Sequence, residues 1–442
     1  MESYDVAVIG AGSAGEKIAR NAARAGMTVA LVEEDLVGGE CPYYACIPSK
    51  ALLRPAHILA EARLVPGMSA SVDPDETFAW RDDLVHHLDD SAHLSNIDFP
   101  EVTLLRGWGR LAGPGRVAVD HGEPFSADAI VVSAGSQAVV PPIPGLGEYV
   151  TAHQLTVARN VPPRLLVLGG GVVGSELGQA FAALGSQVTL VDRGPRLIDE
   201  EEPEAGQLVE SGLKSFGVDT RFGTTIREVR RADHDQEALT TDGRAIGYDE
   251  LLLAIGQEPR LDDIGLETLG LPPGEVPPLD VDFRAEEGVF FVGDVNGSAL
   301  YTHAATAQAN LVIDILTGRS PRRISPAISG PRAPRVVFTY PAVAAVGVTS
   351  AESPPDGRVA RFDLGTVPAS NVYGRGNEGF AAVVVDADDR LIGATFVSVA
   401  APEMLQAATV AIVNGLTVDQ LRAAMSAYPT FSDVWAPLLA QL

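Results

Sequence analysis

Cysteine is nearly missing from this chain: 442 residues contain two, Cys41 and Cys46, which excludes a disulfide-stapled scaffold. Aromatic residues are 6% of the total, and no apolar run approaches the roughly 20 residues of a membrane-spanning helix, so an α/β chain rich in Gly and Ala is expected rather than a membrane bundle. Lysine is limited to Lys17, Lys50 and Lys214, and the formal net charge is −26. Such a surface repels nucleic acid and anionic membranes, and neither is expected as a partner. No basic or apolar leader precedes the strand that begins at Val6, so a cytoplasmic protein is expected. In that reducing compartment a cysteine pair serves chemistry more readily than structure. The length suits two or three domains.

The two cysteines sit close together in Gly38-Gly39-Glu40-Cys41-Pro42-Tyr43-Tyr44-Ala45-Cys46-Ile47-Pro48-Ser49-Lys50. Three chemistries compete for them. A structural disulfide closing so short a loop would restrict the unfolded chain very little. A metal site would need further thiol or imidazole ligands, and none adjoins. A pair cycling between dithiol and disulfide needs only a thiolate, which Lys50 would favour. Spacing alone leaves these readings open.

Near the start, the apolar strand Val6-Ala7-Val8-Ile9 runs into Gly10-Ala11-Gly12-Ser13-Ala14-Gly15, then a helix to about Ala25 and a strand ending at Glu33. Gly10 permits the tight turn, Gly12 lets backbone approach a pyrophosphate, and Gly15 lets helix pack on strand. The N-terminus of the helix, at Ser13 and Ala14, faces the phosphates, and Glu33 is placed to accept hydrogen bonds from a ribose. The same unit returns at Leu165-Leu166-Val167-Leu168, Gly169-Gly170-Gly171-Val172-Val173-Gly174, a helix to about Leu184 and a strand ending at Asp192. The acid follows the third glycine by 18 residues in both copies. Two such units imply two dinucleotides, and a flavin in the first with a nicotinamide in the second would let hydride pass between them. Asp192 favours NAD over NADP, although Arg193 and Arg196 are close enough to reverse that preference.

Between these units, Asp73 to Asp98 reads as a polar helix with His86, Asp90 and His93 near one face; a solvated face is preferred over a metal site. Pro141-Pro142-Ile143-Pro144-Gly145 reads as a linker. In the acidic cluster Asp199 to Glu204, Pro203 is expected in the first turn of a helix. The strand Val289 to Val292 leads to Gly293-Asp294, where Asp294 is suited to a ribityl hydroxyl or, more simply, to capping a helix. Beyond Pro334 the pattern becomes that of a separate α+β domain able to pack against another subunit.

Taken together, the two glycine-rich units, the Gly-Gly-x-Cys-x4-Cys-x-Pro-Ser-Lys segment, Gly293-Asp294 and the C-terminal domain resemble the flavin-dependent pyridine nucleotide-disulfide oxidoreductases, a family that includes lipoamide dehydrogenase, glutathione reductase and mercuric reductase. The resemblance implies an α/β chain with two Rossmann-like, three-layer dinucleotide-binding domains and a C-terminal α+β dimerisation domain. It places an FAD domain at 1–150 and 262–330, an NAD(P) domain at 151–261 and the interface domain of a homodimer at 331–442. By the same resemblance, Cys46 is the thiol nearest the flavin, where it forms a charge-transfer pair, and Cys41 is the thiol that attacks substrate. Lys50 and Glu176 match an ion pair beside the flavin's redox edge, and Val172 stands where some members carry a gating aromatic. Gly39, Gly109, Ala134-Gly135-Ser136 and Leu300-Tyr301-Thr302-His303 would also contact FAD. Ile226 and Gly256 would contact NAD.

The family pattern breaks at Ser426-Ala427-Tyr428-Pro429-Thr430-Phe431-Ser432-Asp433. Tyr428 stands where lipoamide dehydrogenase and glutathione reductase supply a histidine from the partner subunit, and Asp433 stands for the glutamate that follows. A phenol titrates near about 10 rather than about 6.5, so it is a poor base at neutral pH yet can still donate a proton. Pro42-Tyr43-Tyr44-Ala45 likewise replaces a smaller sequence containing Asn and Gly. A tyrosine near this position also resembles mercuric reductase, but no C-terminal cysteine pair or N-terminal metal-binding domain accompanies it here. The expectation is an NAD(P)H-dependent FAD reductase of a small or unusual disulfide. The alternatives are a quinone or diaphorase-type reductase and, behind them, a metal-ion reductase or a flavin redox sensor.

Overall fold

Val6, Ala7 and Val8 are wholly buried and Ile9 nearly so, as an unbroken apolar run must be when a strand is covered on both faces. The computed structural model describes residues 2–232 and 235–442, and every element and sheet below is taken among these described residues. They divide into two units. The first contains Met1–Ile47, Asp82–Ala138 and Gln257–Pro331, and the second contains Pro48–Arg81, Val139–Gly256 and Arg332–Leu442.

In the first unit, the strands Val289–Phe291, Phe125–Val132, Ser3–Ile9, Val29–Glu33 and Val102–Arg106 lie side by side in that order, all parallel. Arg284–Glu286 adds an antiparallel edge, and the hairpin Gly109–Leu111 with Arg116–Val119 joins Phe125–Val132. Helices Ser13–Arg24 and Thr302–Leu316 cover one face through Ile18, Ala22, Ala309 and Val312. The other face packs on Leu111, Val117, Ile264 and Val295. The chain moves outward from Ser3–Ile9 in one direction and then returns to build the other side. A crevice therefore opens between the carboxyl ends of Ser3–Ile9 and Phe125–Val132, where such sheets bind their ligands.

The second unit repeats this plan. Asp219–Arg221, Gln187–Val191, Arg164–Leu168 and Glu250–Leu253 form a parallel sheet in that order, with the direction changing beside Arg164–Leu168. A small antiparallel sheet follows, built from Ile226–Ala232, Asp235–Thr240 and Ala245–Tyr248. The C-terminal part of the unit is an antiparallel sheet in the order Arg335–Val337, Ala342–Gly347, Leu391–Ser398, Phe380–Val385 and Arg358–Asp363, with helix Ala401–Val413 against it. The segment Ala342–Gly347, rich in Ala and Gly, gives little strand signal on its own. Pairing on both sides and complete burial make it a central strand.

One expected element is corrected. The polar stretch Asp73 to Asp98 is not a single helix but Pro74–Leu84, a 3-10 turn at His86–Leu88 and Ser91–Asn96. His86, His87 and Leu88 take positive φ of 52°, 51° and 63°. The break has a local cause: the Asp89 carboxylate accepts from the Ser91 N–H, and Asp90 accepts from the Val37 N–H at 2.9 Å and from Arg106, so side chains replace helical partners. His86, Asp90 and His93 consequently share no helical face. Pro203, by contrast, opens the helix Pro203–Ser215 as its position predicts.

Candidate redox and dinucleotide sites

The first glycine turn is built by close approach. Gly10 has φ +96°, and a Cβ there would lie 2.4 Å from the Ser133 carbonyl oxygen. A Cβ on Gly15 would lie 1.9 Å from the Gly10 oxygen, and one on Gly39 would lie 2.6 Å from the Gly12 Cα. Gly12 has no side chain to cap the helix Ser13–Arg24, so the N–H groups of its first turn face the crevice without intrahelical acceptors. Glu33 ends the next strand and turns back, accepting from the Ala11 N–H at 2.6 Å and the Asp35 N–H at 2.8 Å. Its burial pushes the carboxyl above the usual range. Each carboxylate oxygen has a second lone pair, so the group can still receive a ribose hydroxyl. A side-chain-free turn, a helix N-terminus and an acid at the adjacent strand end fit a dinucleotide pyrophosphate and ribose.

The other expected flavin contacts of this unit follow strand ends of the same sheet. The turn Ala134-Gly135-Ser136 follows Phe125–Val132. Asp294, preceded by Gly293 at φ +87°, follows Val289–Phe291. The Ser136 hydroxyl donates to Asp294 at 3.1 Å. Burial, with the charge of Glu40 adding to it, pushes the Asp294 carboxyl up to about 6 against the opposing effect of that hydrogen bond. Gly109 sits where a Cβ would press on Ile9 and Val32 at 2.9 Å. Leu300 is partly exposed, and the rings of Tyr301 and His303 stack at 5.3 Å on either side of Thr302.

Two left-handed glycines, Gly38 at φ +116° and Gly39 at +72°, turn the chain into the one-turn helix Glu40–Tyr43, which carries Cys41. Cys46 is the first residue of the 19-residue helix Cys46–Leu64, where the dipole favours negative charge on sulfur. Both thiols are half-buried. The Cys46 Sγ lies 3.4 Å from the Thr302 Oγ1, which opens the helix Thr302–Leu316.

Several neighbours of this segment escape a reading by motif. Tyr43 is wholly buried, its hydroxyl donating to the Val37 carbonyl at 3.3 Å and the Asp89 carbonyl at 3.4 Å, and burial raises its pKa to about 12. Its ring meets His93 edge-on, and His93 pairs with the buried Glu16 at 2.6 Å. An aromatic between two cysteines was the available signal, but its burial depends on residues some 50 positions away.

The second unit carries the matching turn. Gly169 has φ +115°, and a Cβ on Gly174 would lie 1.9 Å from the Gly169 oxygen, the same distance as in the first copy. Gly171 precedes a 12-residue helix at φ −72°, ψ −164°, against −69° and −172° at Gly12 before a helix of equal length. Asp192 accepts from the N–H groups of Gly170 and Gly194, as Glu33 does from Ala11 and Asp35. Arg193 is exposed, whereas Arg196 donates to the carbonyls of Asp199 at 2.6 Å and Glu201 at 3.3 Å. Val172 is 40% exposed at the helix start and Val173 half-buried. Gly256, at φ +120°, follows Glu250–Leu253 closely, and Ile226 lies in the apolar cluster with Leu166, Leu168 and Tyr248.

Elsewhere in this unit, Lys50 donates to Glu176 at 2.8 Å, and the carboxylate also accepts from the Phe338 N–H at 2.8 Å. The ammonium lies 4.9 Å from the centroid of the Phe338 ring. His57, whose pKa burial lowers, bonds the Phe338 carbonyl at 2.7 Å. Tyr428 is 75% exposed, and Asp433 accepts from the Thr430 N–H at 3.3 Å. Among the described residues, no group of three or more His, Cys, Asp or Glu side chains is arranged to hold a metal ion.

Comparison with known proteins accords with this geometry. The model of the pyridine nucleotide-disulphide oxidoreductases matches residues 4–309, and that of their dimerisation domain matches residues 333–438. The chain is 32% identical to the dihydrolipoyl dehydrogenase of Thermus scotoductus, across 98% of this chain and 96% of that protein. It is 30% identical to a mercuric reductase of Lysinibacillus sphaericus, across 98% and 81% respectively. The solved Cu(II) complex of the HOCl-induced flavoprotein disulfide reductase RclA from Escherichia coli shares the fold, with a TM-score of 0.88 at 24% identity over the whole of both chains. No described helix is long and apolar enough to cross a membrane.

Proposed function

The chain belongs to the pyridine nucleotide-disulphide oxidoreductase family, whose members use FAD and NAD(P)H, and we propose that it reduces a small or unusual disulfide through Cys41 and Cys46. The observation that carries this reading is the placement of the pair. Cys41 follows a turn only glycines allow, and Cys46 begins a long helix, both in the unit whose strand ends form the first dinucleotide cradle. Bound NAD(P)H would supply one hydride, and FAD would relay its two electrons to the Cys41–Cys46 disulfide, opening it to the thiol pair. The Cys41 thiolate then attacks one sulfur of the substrate, forming a mixed disulfide, and the departing thiolate takes a proton. The Cys46 thiolate attacks the Cys41 sulfur and restores the intramolecular disulfide, and the second product leaves as a thiolate that takes up the remaining proton. The sum is one disulfide, one NAD(P)H and one proton converted to two thiols and NAD(P)⁺.

The protonating group in this proposal is Tyr428 of the partner subunit in a homodimer, with Asp433 in its turn. Asp192 sets the preference for NADH, because its carboxylate opposes a 2′-phosphate and Arg196 is already committed to backbone carbonyls. Cytoplasm, where thiols are kept reduced, is the compartment that suits this cycle.

The replacement of Cys41 by Ser tests the reading. Disulfide turnover is expected to vanish, while anaerobic NADH still bleaches the bound flavin; turnover at the parent rate would sink the idea. A second reading, transfer from the flavin directly to a quinone, is favoured by Tyr428, since that route needs no base to activate a thiol. Full quinone turnover after loss of both cysteines, without disulfide turnover in the parent, would select it.

A further inference from the structure

Pro42, Tyr43, Tyr44 and Ala45 separate the two cysteines, and Tyr43 anchors this loop. Wholly buried, it donates through its hydroxyl to the carbonyls of Val37 and Asp89. The Asp90 carboxylate accepts the Val37 N–H at 2.9 Å, so both backbone polar groups of Val37 are held. The His93 ring lies 5.7 Å from that of Tyr43, and a Cβ on Gly38 would approach it to 3.0 Å. His93 Nδ1 is 2.6 Å from one carboxylate oxygen of Glu16, in the first turn of the helix Ser13–Arg24, and the other oxygen accepts from Asn96 at 3.2 Å. Glu16 is itself buried, where a carboxylate is retained only with partners. All these residues belong to the first unit. None of these contacts uses a sulfur, so the brace stands whether the sulfurs are joined or apart.

The balance between disulfide and dithiol includes the freedom that the enclosed loop regains on opening. A loop fixed by other contacts regains little, and its sulfurs stay within reach of each other. We propose that His93 and Glu16 are positioning residues of the thiol pair: acting through Tyr43, they hold the loop between Cys41 and Cys46 in one conformation while the disulfide is open, and so favour its closure. This rests on Cys41 and Cys46 being the reacting thiols. The step it serves is the last of the cycle. There the Cys46 thiolate bonds to the Cys41 sulfur, the bond from that sulfur to substrate breaks, and the product leaves as a thiolate with the electron pair. The bulky residue between the cysteines is thereby the loop's attachment to the wall of the first unit.

The test equilibrates FAD-loaded protein anaerobically with mixtures of reduced and oxidised dithiothreitol, an exchange in which one disulfide opens for each that closes. Thiols are counted by mass after alkylation with iodoacetamide. In His93→Ala the ratio of dithiol to disulfide is expected to rise about tenfold in a given mixture, equivalent to roughly one residue's backbone freedom, which raises the potential by about 30 mV. His93→Asn, whose amide stands where Nδ1 does, is expected to recover most of that shift; a ratio that stays at the alanine value overturns the part assigned to Glu16. Tyr43→Phe keeps the buried ring but drops the hydroxyl, is expected to move the ratio the same way, and serves should His93→Ala not load flavin. A role confined to folding would lower the thermal midpoint of the loaded protein and leave the ratio alone, and a ratio unmoved in the loaded variants overturns the proposal. Failure of the redox reading itself would show separately, as undiminished disulfide turnover in Cys41→Ser protein with His93 and Glu16 intact.

Discussion

At the scale of single residues, the chain keeps acids where burial opposes their charge. Asp294 is the clearest case, with its carboxyl pushed up to about 6 mainly by burial. In the unfolded chain the same group titrates near about 3.9. The folded protein thus holds this proton more tightly, and the stability linked to it is fully present below about pH 4 and lost as pH rises through about 6. For the flavin-free protein, urea midpoints from pH 4.5 to 7 are expected to fall by the equivalent of roughly 2 kcal/mol from this group, and Asp294→Asn should remove that part of the slope. An identical slope in the variant would show that other groups carry it. Asp294 was legible as a site residue because it follows a strand and precedes a helix. The hydrogen bond from Ser136 was not, since it joins residues 158 positions apart.

At the scale of elements, the two glycine turns are the same object built twice, and their failures should differ. Gly15→Ala drives a Cβ to within 1.9 Å of the Gly10 oxygen, and Gly174→Ala does the same at Gly169. The first is expected to yield protein depleted of flavin. The second should keep its flavin but raise the KM for NADH by more than tenfold, about 1.4 kcal/mol of lost binding. Flavin content by absorbance and steady-state kinetics separate the two outcomes, and flavin loss in Gly174→Ala would contradict the assignment of the cradles. Strand, glycine turn, helix and acid could be read directly because each is set by residues within about thirty positions. The stretch Asp73 to Asp98 misled for the opposite reason. Its helix is broken by Asp89 and Asp90, and Asp90 takes its partners, Val37 and Arg106, from other segments of the first unit.

At the scale of the whole molecule, the dimerisation segment leaves Val372 74%, Tyr428 75% and Met425 96% exposed. Large apolar groups so placed favour coverage by a second copy. Sedimentation is expected to give about twice the 46.3 kDa of one chain, and Met425→Glu should shift the protein towards monomer; a monomeric parent would refute the homodimer. The amino-acid sequence by itself determined the two dinucleotide turns, the acids 18 residues beyond them and the adjacency of Cys41 and Cys46, because backbone sterics and short spacing leave each little choice. Only the tertiary structure decided what surrounds the sulfurs: Tyr43 buried against His93, and the Thr302 hydroxyl at Cys46. These depend on segments far apart in the chain being brought together by packing, and no local pattern encodes which of them will meet.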